Sequence, residues 1–100
     1  MNMISGLRTI QPGEVLREDV IPGCGLHKSA FAKRIGFSRE ALHNILAGKS
    51  AISTVVALKL ARLLGTTPQV WLNMQQAYDL AVVAAAKCDE IERVEALEAA

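Results

Sequence analysis

The sequence predicts an all-α fold of five helices, and three observations carry that reading. Apolar residues recur at spacings of three and four along most of the 100-residue chain, the period of a helix with one face turned inward. Sustained two-residue alternation is missing, as are Asn-Gly and Asp-Gly hairpin turns, and aromatic residues make up only 4% of the chain. Glycine, proline and small hydroxyl residues stand where helices would begin and end. A hydrophobic content of 51% in a chain of this length supports one domain with a modest core. That domain is expected over 12–86, between an N-terminal arm at 1–11 and an acidic C-terminal tail at 87–100.

The first helix is expected to open at Pro12, a residue suited to the first helical position, with Glu14 favoured by the positive end of the helix dipole. Its core-facing residues include Val15 and Leu16. It is expected to stop near Val20, because Pro22 disfavours a helical Ile21, and a loop Pro22-Gly23-Cys24-Gly25 should follow. The second helix, about Lys28 to Ile35, turns Phe31, Ala32 and Ile35 inward, keeps Lys28, Lys33 and Arg34 wet, and ends at Gly36. Ser38 is a good N-cap for the third, which runs to about Ala47 and finishes at Gly48. Ala41, Leu42, Ile45 and Leu46 form its buried stripe, leaving Arg39, Glu40, His43, Asn44 and Ala47 outside.

Ser53 caps a fourth helix, Thr54 to Leu64, apolar apart from Lys59 and Arg62, which reads as the central core helix. Thr67-Pro68 is a cap followed by proline at the first position, so a fifth helix opens there and is expected to reach Ala86. It carries Trp71, Met74, Tyr78, Ala81, Val82 and Ala85 on one side, whereas Leu72, Leu80, Val83 and Ala84 lie elsewhere round its circumference. A helix apolar on more than one face needs cover on more than one face, and in so short a chain the expected cover is a second subunit. A homodimer through Leu72, Leu80, Val83 and Ala84 follows.

Composition narrows the function classes. No charged leader followed by an apolar run and a cleavage site opens the chain, so no signal peptide is expected. The longest purely apolar run, Leu80 to Ala86, is far short of the roughly 20 residues a membrane span requires. Cys24 and Cys88 fit neither a disulfide framework nor a paired metal motif, which points to a reducing cytoplasm. Cys24 with His27 supplies half a zinc site at best, and neither metal nor cofactor is expected. There is no Ser-His-Asp set, no glycine-rich phosphate loop after a strand and no carboxylate cluster, so an enzyme is not expected.

The net charge of +1 hides an asymmetry. From Leu26 to Gly65 seven basic residues face one acidic residue, Glu40, whereas from Asp79 to Ala100 six acids outnumber Lys87 and Arg93. That is the pattern of a chain with one region turned to a polyanion. Scattered solvated charge is the plainer reading, and the spacing of Lys28 to Ala47 weighs against it. Ala32 lies four residues before Gly36, where two helices approach closely, and Gly36 supplies the freedom a short turn demands. Leu42 and Ile45 follow six and nine residues later and pack back on the preceding helix. These are the requirements of a helix-turn-helix, whose second helix enters the major groove.

Ser38, Arg39, Glu40, His43 and Asn44 are then the candidates for reading base edges. Arginine can hold guanine O6 and N7, asparagine can pair with adenine, and glutamate can accept from cytosine, which puts Arg39 and Asn44 first. Glu40 could instead orient a neighbouring cation, and His43 could be an ordinary surface residue. Lys28, Ser29, Lys49 and Thr54 are placed for flanking phosphates, which set register and affinity and not sequence.

Four stretches add a resemblance: Gln11 to Glu18, Ala47 to Ser53, Ala57 to Thr66, and Thr67 to Ala81 with its Trp71-Leu72-Asn73-Met74-Gln75 segment. Together they make the chain similar to the HigA-type antitoxins, members of the repressor-like helix-turn-helix group, from about Ile10 to Ala84. The resemblance implies a dimer that binds operator DNA, represses its own toxin-antitoxin operon and neutralises a HigB-like ribonuclease that cuts messenger RNA. It also has departures. Where relatives usually open the second helix with serine and glutamine, this chain has His27-Lys28, which puts an ammonium in place of an amide, and the Pro22 to Gly25 loop differs. The alternatives are a regulator without a toxin partner, and an interaction module that has lost DNA binding.

Overall fold

The computed structural model describes residues 10–97, and among them it contains six helices and no strand. Residues 1–9 of the expected arm and 98–100 of the expected tail lie outside the described residues. Helix α1 covers residues 12–24 as an α-helical turn Pro12–Val15, a π-helical turn Leu16–Val20 and a second α-helical turn Ile21–Cys24. It is followed by α2 (Lys28–Ile35), α3 (Arg39–Leu46), α4 (Thr54–Leu64), α5 (Pro68–Ala86) and the short α6 (Cys88–Glu92). The five expected helices are all present, and α6 adds one exposed turn within the acidic tail.

The course of α1 corrects the sequence reading, because the helix runs through Pro22 and only Gly25, at φ 70°, leaves it. The π turn carries it past the proline: Ile21 donates to the Leu16 carbonyl five residues back, and the wider turn accommodates a ring with no N–H to offer. Ile21 adopts the helical backbone that a residue before proline usually avoids. Burial of its side chain in the core offsets that local preference.

Caps elsewhere follow the sequence closely. Ser38 Oγ accepts from the Ala41 N–H at 3.0 Å, Ser53 Oγ from Val56 at 3.3 Å and Thr67 Oγ1 from Val70 at 3.3 Å. Gln11, expected as the end of the N-terminal arm, instead caps α1 by accepting from the Glu14 N–H at 2.9 Å. Between α2 and α3, Gly36 takes φ 81° while the Phe37 N–H returns to the Ala32 carbonyl at 2.8 Å, a Schellman closure.

The core gathers Leu16 and Ile21 of α1, Phe31 and Ile35 of α2, the α3 stripe, Ala57 and Leu60 of α4, and Trp71 of α5. Phe31 is fully enclosed. Helix α4 is less central than its composition implied, since Val55 and Leu58 face out. Inside the core Gln75 Oε1 accepts the Ile52 N–H at 2.8 Å and its amide donates to Asp79 at 2.9 Å, so the polar group is paired. Beyond Ala81 the long helix leaves the core, and the molecule measures 54 × 25 × 22 Å. No helix among the described residues is long and apolar enough to cross a membrane.

Candidate nucleic-acid interface

Helix α3 is held by one face and open on the other. Leu42, Ile45 and Leu46 are buried, Ala41 is half-buried, and Arg39, Glu40 and His43 are exposed. Asn44 is half-buried, more sheltered than the sequence reading had it. Its carbonyl accepts from both the Lys49 and Ser50 N–H groups, at 2.8 and 3.1 Å, and so ties the following loop to the helix end. Ser38 is exposed, but its oxygen is engaged in the cap, which leaves the hydroxyl proton as the group it can offer outward.

Lys28, Ser29, Arg39 and His43 come together around a concavity of about 370 Å³, floored by Leu42, Leu46 and Ala47. Two helix starts meet there: Lys28 and Ser29 open α2, and Arg39 opens α3. His27, the cap residue of α2, makes no side-chain cap hydrogen bond, in contrast to Ser38 and Ser53. Among the described residues no side chain accepts from the N–H groups at that end, and orphan donors of this kind suit an oxygen anion. Glu40, Asn44, Lys49, Thr54 and Ser38 do not line the concavity. Lys49 sits just beyond Gly48, whose φ of 78° ends the helix, and Thr54 is exposed at the first turn of α4.

Arg17 lines the same concavity and was not singled out by the sequence reading. Its Nη1 donates to the Leu46 carbonyl at 2.9 Å, across 29 residues of chain. The only local signal was its position on the wet side of α1, one residue past the buried Leu16. Cys24 and His27 gather no further ligand; among the described residues no three His, Cys, Asp or Glu side chains converge as a metal site.

The four residues expected to face a second subunit lie along one apolar groove. Leu72, Leu80, Val83 and Ala84 line it together with Ile52, Gln75, Gln76, Asp79 and Ile91, around a volume of about 570 Å³. Leu72 is half-buried against the core, whereas Leu80 is 63% and Val83 51% exposed.

Comparison with known proteins accords with this architecture. A helix-turn-helix family model matches residues 21–71. The chain is 42% identical to Virulence-associated protein I of Dichelobacter nodosus over 71 residues, which are 71% of this chain and 66% of that protein. It is 37% identical to Antitoxin HigA-1 of Vibrio cholerae over 73 residues, 73% of this chain and 69% of that one. The chain thus matches about two thirds of the length of these relatives. The antitoxin HigA of Pseudomonas aeruginosa, solved with the higBA promoter, superposes with a TM-score of 0.83 at 32% identity, over 90% of this chain and 99% of that one. A helix-turn-helix model matched over half the chain, with a HigA antitoxin 37% identical and matched over 69% of its length, shows the family: the chain belongs to the HigA-type antitoxins of the helix-turn-helix family.

Proposed function

We propose that this chain is a cytoplasmic antitoxin that binds the operator of its own operon as a homodimer, represses it, and neutralises a HigB-like ribonuclease. The carrying observation is the exposed polar face of α3, presented by a helix whose opposite face is locked into the core. In this reading Ser38, Arg39, Glu40, His43 and Asn44 meet base edges, with Arg39 and Asn44 the principal readers. Lys28, Ser29, Lys49 and Thr54 meet phosphates on either side and set the register. Positive charge between Leu26 and Gly65 draws the duplex in, while the acidic tail keeps the other end away from it.

Leu72, Leu80, Val83 and Ala84 are assigned to the dimer contact, where a second copy covers the groove on α5. A two-fold dimer reads an inverted repeat whose half-sites lie about 34–36 Å apart, or a multiple of that. Neutralisation of a toxin follows from membership of the HigA-type family, and an enzymatic role has no part in the reading.

The deciding experiment is a gel-shift titration against duplex DNA from upstream of the protein's own gene. Salt-sensitive, sequence-selective binding by a dimer is expected, and equal affinity for shuffled DNA would overturn the reading. Co-purification with a small basic ribonuclease encoded beside the gene, and suppression of its cleavage of messenger RNA, separates an antitoxin from a regulator that acts alone.

A further inference from the structure

The last carbonyls of an α-helix have no partner within the helix, and their fate at the end of α3 is unusual. The His43 carbonyl accepts from the Ala47 N–H at 2.9 Å, that of Asn44 from Lys49 and Ser50, and that of Ile45 from Gly48 at 3.1 Å. These are bonds of the chain's own turn. The Leu46 carbonyl is met instead by the Arg17 guanidinium, at 2.9 Å, from another helix.

Arg17 does not act alone there. Gly13 of α1 lies so close under the Ile45 carbonyl that any Cβ would collide with it, and the Gln11 amide stands 2.8 Å from where a Cβ on Gly48 would be. Gly13 and Arg17 of α1, with its cap residue Gln11, therefore meet the C-terminal end of α3 at Ile45, Leu46 and Gly48. The other end of α3 is set by the Gly36 turn and the Ser38 cap. Side chains that read bases must be held to about 0.5 Å and 10–20°. In a helix of eight residues, roughly 12 Å long, a few degrees of tilt about that fixed end displace Asn44, near the far end, by about that much and turn the whole polar face with it.

We propose that Arg17 is a positioning residue for sequence readout: through its hydrogen bond to Leu46 it fixes the tilt of α3, and with it the aim of the base-reading side chains. The proposal rests on α3 reading DNA. The neighbouring Glu18 carboxylate, 3.1 Å from Arg17 Nε, orients the guanidinium, and as an exposed pair it adds little attraction of its own. Because Arg17 also borders the concavity that holds Lys28 and Arg39, the rival role is direct attraction to a phosphate.

The two roles are separated by Arg17→Met, which keeps the apolar stem and removes the hydrogen bond and the charge. Binding is measured to the duplex most enriched by the wild-type protein from a randomised pool, and to a shuffled duplex of equal length, across a salt series. Positioning is expected to weaken the enriched duplex about tenfold, the scale of one charge-assisted hydrogen bond, with shuffled DNA and the salt slope within experimental scatter of wild type. Equal weakening of both duplexes with a flatter salt slope would assign Arg17 to a phosphate and overturn the proposal. Should Arg17→Met lack the wild-type circular-dichroism spectrum at the assay temperature, the same comparison is read on Arg17→Lys, which keeps the charge and loses the planar fork. Wild-type selectivity in the folded variant overturns the proposal as well. If the wild-type protein enriches no sequence from the pool, the DNA-binding reading itself fails.

Discussion

Helices α3 and α5 both leave a face uncovered, and the two faces are of opposite kinds. Helix α3 buries Leu42, Ile45 and Leu46 out of eight residues and exposes Arg39, Glu40 and His43, groups that water solvates well. Helix α5 buries only Trp71 and Gln75 out of nineteen and exposes Leu80, Val82 and Val83, which water does not. A polar face on a firmly packed helix costs nothing while empty and is ready for a hydrated, charged partner. An apolar face on a protruding helix is unfavourable until covered, and it suits a partner that brings apolar surface of its own. The comparison teaches that so small a protein can offer two kinds of partner different chemistry on different helices.

The contrast is broken most forcefully where α5 is anchored. Trp71 is enclosed in the core and its Nε1 donates to Thr66 at 2.9 Å, so Trp71→Ala is expected to cost about 3–5 kcal/mol in folding free energy. Urea titration would measure it, and a loss below about 1 kcal/mol would place the tryptophan outside the core. Next comes Gln75→Ala, which leaves the buried Ile52 N–H without its acceptor and is expected to cost about 1–3 kcal/mol by the same titration.

On the polar side, Arg39→Ala is expected to weaken cognate duplex binding by about 1–3 kcal/mol and to relax one operator position. Lys49→Ala should weaken cognate and shuffled DNA alike and lower the salt slope by roughly one. Titrations of both variants on both duplexes check the division of labour, and identical profiles would erase it. The smallest effect on folding is expected at Val83, exposed on the distal part of α5. Val83→Glu should alter the stability of the single chain by no more than about 0.5 kcal/mol, yet halve the mass seen by light scattering. A mass that stays dimeric would remove the groove from the proposed interface.

Much of the fold was legible because its determinants are local. Ser38, Ser53 and Thr67 cap helices through N–H groups three residues away, and Gly36, Gly48 and Gly65 take the positive φ that ends helices. The stripes Phe31-Ala32-Ile35 and Leu42-Ile45-Leu46 follow from helical period. The exposed candidates on α3 follow from the same period, as the complement of its buried stripe. Where local preference and burial conflict, the sequence misled: Pro22 argued for a break, and burial of Ile21 carried the helix through it.

What the sequence by itself determined is therefore whatever is decided within about four residues: where helices start and stop, which side of each turns inward, and where the basic and acidic stretches lie. Only the tertiary structure decided that Arg17 reaches Leu46 across 29 residues, that Gln75 reaches Ile52 across 23, and that Ile52 and Ile91 join the α5 residues in one groove. The physical reason is range. A cap or an amphipathic stripe is specified by neighbours along the chain, whereas contacts between distant residues exist only after packing has chosen how the helices cross.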